Sequence, residues 1–106
     1  MDSSPIRNLI ATRGAEIAEI CRRFHVRRLD VFGSAVRGDF DPARSDLDFV
    51  VEFERDHPLG GLEIYFGLQE ALEALFGRKV DLVSGAVQNP YLRKSIDESR
   101  ETIYAA

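Results

Sequence analysis

One cysteine, two histidines and no long apolar run bound what this 106-residue chain can be. With Cys21 alone no internal disulfide can form, which fits a reducing cytosol. Its neighbours Ile17, Ile20 and Phe24 predict an inert, buried thiol. His25 and His57 stand far apart without Cys or His neighbours, which argues against a zinc site. No stretch approaches the roughly 18 apolar residues that a membrane span needs, so no membrane association is expected. No basic start followed by an apolar segment marks a signal peptide, and the expected location is cytoplasmic. Acidic residues outnumber basic ones. Fourteen Lys and Arg against eighteen Asp and Glu leave a net charge of −4, which argues against direct nucleic acid binding through phosphate charge. Repeats and low-complexity tracts are missing as well.

What remains is ordinary for a soluble globular protein: 44% hydrophobic and 30% charged residues. The length predicts a single domain over 1–106. Ser3, Ser4 and Pro5 read as a helix start. Ile6, Leu9, Ile10, Ile17, Ile20, Cys21 and Phe24 then recur with helical spacing, and His25 falls in the exit turn. Val26 to Phe32 reads as a strand ending at Gly33, followed by a short helix or turn over 34–38 and a polar loop from Asp39 through Arg44. From Asp46 the alternation is strict, with Leu47, Phe49, Val51 and Phe53 on one face and Asp46, Asp48, Val50 and Glu52 on the other. His57-Pro58-Leu59-Gly60-Gly61 breaks the chain. Leu62, Tyr65, Phe66, Leu68, Leu72, Leu75 and Phe76 mark an amphipathic helix, with Gly77 as its C′ residue. Lys79 to Ser84 is a short β-rich run. Asn89 and Pro90 supply the N-cap and N1 of a last helix carrying Leu92, Ile96 and Ile103. The expected fold class is therefore α/β (α+β), a small mixed sheet of three or four strands flanked by about four helices.

Chemistry concentrates in residues 33–48 and at Asp81. Asp46 and Asp48 share one strand face, roughly 7 Å apart at Cα. Carboxylates this close repel, and a divalent cation removes the penalty. Mg²⁺ takes one or two carboxylates together with phosphate oxygens and water. Asp81, in an apolar strand, is costly if buried alone; beside the other two it becomes a third ligand. Two metal ions could then activate an attacking hydroxyl and steady the leaving pyrophosphate. Each acid also has a plainer role open to it: a turn cap for Asp46, an exposed edge for Asp48, an ion pair with Arg78 or Lys79 for Asp81.

Gly33 permits positive φ and close backbone approach, as a phosphate-binding turn requires, and Ser34 adds a hydroxyl. Gly33 and Gly38 have the spacing of a Walker loop, but Asp39 and Phe40 stand where that motif needs Lys and a hydroxyl, and the Walker reading is rejected. Tyr65, Phe66 and Phe76 have the spacing of core or interface residues rather than of base stackers. Tyr91 and Tyr104 are open to surface contact or modification.

Gly33-Ser34, Arg37-Gly38, Ser45-Asp46-Leu47-Asp48 and Val80-Asp81-Leu82 together resemble the polymerase-β-like nucleotidyltransferases, and within them the minimal, single-domain type. The likeness spans nearly the whole chain. It implies Asp46 and Asp48 as shared ligands of two Mg²⁺ ions, Asp81 as the third metal ligand next to the attacking hydroxyl, and Gly33 and Ser34 as the pair that holds the triphosphate of ATP. Arg37 matches a frequent family position, with a surface ion pair as its alternative. Ser45 either orients the Asp pair or merely begins the strand. Eleven residues separate Ser34 from Asp46, one more than the family's usual spacing, an insertion that a polar loop absorbs. The resemblance further implies an antitoxin paired with a helical HEPN-type ribonuclease toxin, transferring AMP from ATP to a tyrosine of that toxin. Two other readings stay open: a non-catalytic binding subunit that occludes its partner, and a nucleotidyltransferase acting on small molecules. Larger relatives carry an extra domain for the acceptor. Here that surface must come from another protein or subunit, a homo-oligomer included.

Overall fold

The computed structural model describes residues 5–37, 41, 46–55, 61–84 and 89–106. In order these form α1 (Pro5–Thr12), α2 (Gly14–Arg23), β1 (Val26–Phe32), α3 (Ser34–Arg37), β2 (Leu47–Phe53), α4 (Gly61–Phe76), β3 (Val80–Ser84), α5 (Pro90–Ser99) and β4 (Glu101–Ala105). The strands make one mixed sheet in the order β3-β2-β1-β4. β1 runs antiparallel to both β2 and β4, while β2 and β3 are parallel. The expected α+β architecture holds, with four strands and five helices.

Two boundaries differ from the sequence reading. The N-terminal helix is two helices, because the Thr12 hydroxyl donates to the Leu9 carbonyl at 3.0 Å and Gly14 follows. Both features weaken helix continuation, glycine by about 1 kcal/mol. Ile103 does not continue the last helix. Arg100 turns to extended backbone after Ser99, and Thr102-Ile103-Tyr104 suits a strand that pairs with β1. The Asn89 cap is as expected, its side chain accepting from the N–H groups of Tyr91 and Leu92. Ser3 and Ser4 lie outside the described residues.

The alternation in β2 sorts its two faces. Leu47, Phe49 and Val51 are fully buried and join Leu29 and Val31 of β1 against Ile17, Ile20 and Cys21 of α2 and Leu68, Leu72 and Phe76 of α4. Phe76 stacks on Phe49 with centroids 6.0 Å apart. Gly67 of α4 lets the Phe24 ring sit where a Cβ would be 2.5 Å from it. The opposite face carries a smaller cluster, Phe32, Val50 and Ile96 with Val83 beside it, so α5 covers only part of that side.

β3 is an edge strand, and α4 covers its outward-facing groups. Tyr65 donates its hydroxyl to the Leu82 carbonyl, Gln69 donates to the Val80 carbonyl at 3.0 Å, and Glu73 accepts the Val80 N–H at 3.0 Å. One side chain per helical turn thus blunts an edge that could otherwise recruit another strand. Tyr65 therefore serves the fold, as its spacing suggested. Phe66 is half exposed, packed edge-on to Tyr65, and Tyr91 is fully on the surface. Tyr104 lies half-buried against the main cluster.

Candidate active site

The partly open face of the sheet carries the acids. β1 ends at Phe32, which pairs with Asp48 of β2, and Asp48 in turn pairs with Asp81 of β3. Lateral partners in a sheet project to the same side about 4.8 Å apart, so the register sets Asp48 beside Asp81. Asp46 immediately precedes β2, two residues from Asp48. Asp48 is half-buried and Asp81 exposed. Asp81 therefore does not face the burial penalty that its apolar neighbours suggested.

Gly33 follows Phe32 and has φ of +78°, a conformation that side chains strongly disfavour. A Cβ there would lie 2.6 Å from Asp48 Oδ2, so the carboxylate packs directly on the glycine backbone. The Gly33 carbonyl accepts the N–H groups of Val36 and Arg37, both at 3.0 Å, and this opens α3 with Ser34 at its start. Gly33 N–H donates to Ser99 Oγ at 2.9 Å. A turn and a carboxylate 15 residues apart in sequence are thereby locked together.

Charge in this corner is crowded. Burial and the neighbouring carboxylates of Asp81 and Asp46 push the Asp48 carboxyl up to about 6, and Arg37 pulls the other way. Asp46, Asp81 and Arg37 are therefore each within electrostatic reach of Asp48, which also lies against Gly33. Among the described residues no group of three acid, His or Cys side chains is gathered closely enough to hold a metal ion by itself. The donor set of the three aspartates, oxygen only and strained by like charge, fits a hard divalent cation that also takes water and phosphate oxygens. Gly38 and Ser45 lie outside the described residues.

Ser99 escaped the sequence reading, since nothing local marks a serine at the end of a helix as a partner for a glycine 66 residues earlier. The same holds for Asp30, fully buried on β1. Its carboxylate meets Arg28 Nε at 3.0 Å and Arg100 Nε at 2.6 Å. Burial alone would raise this carboxyl, but hydrogen bonds from Arg28, Arg100 and Thr102 outweigh it and hold the group below the ordinary range. Cys21 is buried as expected, and burial pushes its thiol up to about 12 against a small opposing effect of Arg22. An open cavity of about 350 Å³ lies between α2 and α4, lined by Glu16, Glu19, Arg23 and Leu75 among others. Those helices pack on the other face of the sheet, away from the aspartates.

A family model described as nucleotidyltransferase domain matches residues 15–104. The protein adenylyltransferase MntA of Thermococcus cleftensis is 40% identical over 86 residues, covering 81% of this chain and 81% of that protein. A solved structure of a "putative minimal nucleotidyltransferase" superposes with a TM-score of 0.70 at 32% identity, covering 95% of this chain and 98% of the other. A chain from the solved complex of the tri-AMPylated Shewanella oneidensis HEPN toxin with MNT antitoxin shares the fold, with a TM-score of 0.62 at 16% identity over 92% of this chain and 73% of that one.

Proposed function

The chain belongs to the nucleotidyltransferase domain family, and from that premise we propose that it transfers AMP from ATP, with Mg²⁺, to a hydroxyl on a helical HEPN-type toxin and so acts as that toxin's antitoxin. The observation that carries this reading is the pairing of Asp48 with Asp81 in one sheet register, with Asp48 seated against the turn at Gly33. An adenylyltransferase needs acids for metal and a turn for triphosphate at one place. Here three chain segments, 33–37, 46–48 and 81, supply both.

Asp46 and Asp48 would hold the metal jointly, and Asp81, the most exposed of the three, would stand on the acceptor side. Bound Mg²⁺ would supply Lewis acidity at the phosphates and lower the pKa of the attacking hydroxyl. The chain's own contribution is placement. Gly33, having no side chain, lets the Asp48 carboxylate sit directly against the turn, and Ser34 would offer its hydroxyl to the triphosphate. Arg37 adds positive charge where the phosphates gather negative charge. The acceptor oxygen forms a bond to the α-phosphorus, the bond from that phosphorus to the pyrophosphate oxygen breaks, and the acceptor proton passes to Asp81 or to water. The likeness to the protein adenylyltransferase MntA supports a protein as the acceptor.

The test is direct. The chain is incubated with ATP, Mg²⁺ and the HEPN-type protein encoded beside it, and the toxin is weighed by intact mass spectrometry. An AMP adduct that disappears in Asp46→Asn and Asp48→Asn is the expected result. Full neutralisation of the toxin by a folded Asp46→Asn/Asp48→Asn variant would instead make occlusion the operative activity.

A further inference from the structure

Gly33 is gripped from two sides. Asp48 Oδ2 lies 2.6 Å from the point where a Cβ would stand, and the buried hydroxyl of Ser99 accepts its N–H at 2.9 Å. Ser99 Oγ also donates to the Ser95 carbonyl at 2.8 Å. That second bond uses the hydroxyl proton, so the oxygen presents a lone pair to Gly33 and can act there only as acceptor. The serine is itself held firmly. Ile96, one turn earlier, packs with Phe32 and Val50. Arg100, the next residue, is tied to buried Asp30 at 2.6 Å, and β4 then pairs with β1. The strand that delivers Gly33 and the helix end that delivers Ser99 are thus joined both before and after the serine.

We propose that Ser99 is a positioning residue for nucleotide binding, fixing the Gly33–Ser34 turn against Asp48 so that the triphosphate meets a preformed site. The proposal rests on the nucleotidyltransfer reading above. It carries a specific consequence: Gly33 N–H is spent on Ser99, so an anion at this turn is served by Ser34, and glycine contributes room for Asp48 rather than a donor. Removing the hydroxyl leaves a buried N–H without its partner, a costly state that the turn relieves by moving. The groups that move with it are Ser34 and the surface on which Asp48 rests.

The test measures binding of Mg²⁺–AMP-PNP to the purified chain by calorimetry, which needs no acceptor. Ser99→Ala is expected to weaken binding about tenfold and Ser99→Thr, which keeps the acceptor, to stay within about twofold of wild type. Ile17→Val loosens the core on the opposite face of the sheet without touching the hydrogen bond, and should lower the melting temperature while leaving the affinity unchanged. A Ser99→Ala chain that binds like wild type overturns the inference alone. An Ile17→Val chain as weak as Ser99→Ala also overturns it, because general loosening would then explain the loss. If Ser99→Ala does not fold, Ser99→Cys, similar in shape and a weak acceptor, is read in its place. A wild-type chain that takes up no nucleotide removes the nucleotidyltransfer reading, and this inference with it.

Discussion

Asp48→Asn should make the metal-free protein more stable while removing its activity. The carboxyl of Asp48 is raised from 3.8 to about 6 by burial and by Asp81 and Asp46, a difference equivalent to about 3 kcal/mol. The group is half open to water, and screening brings the usable figure to about 1–2 kcal/mol. The sign follows from proton counts. Between about pH 4 and 6 the folded chain holds a proton that the unfolded chain has lost, so stability falls as pH rises through that window and stays low above it. Asparagine carries no charge at any of these pH values and removes the penalty. In chelator at pH 8 the variant should therefore melt about 5–10 °C above wild type, with the gap shrinking to a few tenths of a kcal/mol at pH 4. Adding Mg²⁺ should raise the melting temperature of wild type more than that of the variant, because a ligand that binds only the folded state stabilises it. Thermal melts at the two pH values, with and without Mg²⁺, decide the matter. A variant less stable than wild type at pH 8, or an advantage independent of pH, refutes the claim that like charge strains this corner.

Arg100→Ala strips one partner from the buried Asp30 carboxylate while Arg28 remains, and should cost about 3 kcal/mol by urea denaturation at pH 7. Because the Asp30 carboxyl is held low in the fold, its contribution is present above the ordinary carboxylate range and is lost as pH falls below it, so the cost of Arg100→Ala should shrink in acid. Gly67→Ala should lower the melting temperature even though alanine favours helix by about 1 kcal/mol, because the new methyl displaces the half-buried Phe24 ring. Tyr65→Phe combined with Gln69→Ala and Glu73→Ala uncovers the edge of β3 and should raise self-association, read by light scattering. Cys21, buried with its thiol near 12, should resist alkylation at pH 8 in the native chain and react at the rate of global unfolding.

Period-two alternation from Leu47 to Phe53 was enough to place β2 and to set Asp48 on the face opposite Leu47 and Phe49. The pairing of that strand with β3 was not legible, since Val80 to Ser84 carries no mark of its neighbour or direction; only the assembled sheet sets Asp48 opposite Asp81. Gly33 was legible as a turn because positive φ is a property of the residue itself. What occupies the space left by its missing side chain depends on a strand fourteen residues away. The C-terminal boundary was misread for a related reason. Leu92, Ile96 and Ile103 satisfy a helical stripe, and what ends the helix at Ser99 is a tertiary contact, the pull of buried Asp30 on Arg100 and the free edge of β1 waiting beside it.

These features divide the sheet by face. The side toward α2 and α4 is uniformly apolar and supplies the stability. The other carries Asp30, Asp48 and Asp81, of which Asp30 is neutralised by arginines within the fold, while the repulsion of Asp48 by Asp81 is offset only in part by Arg37. Two carboxylates on adjacent strands of one small sheet are thus treated oppositely. A sequence selected for stability alone could relieve the second site with an amide, as it relieves the first with Arg100. Retaining Asp48 at the point where it strains the fold is intelligible if a cation brought with the substrate completes the charge balance. The strain then disappears in the complex and favours binding, provided the turn at Gly33 is already in position when the nucleotide arrives.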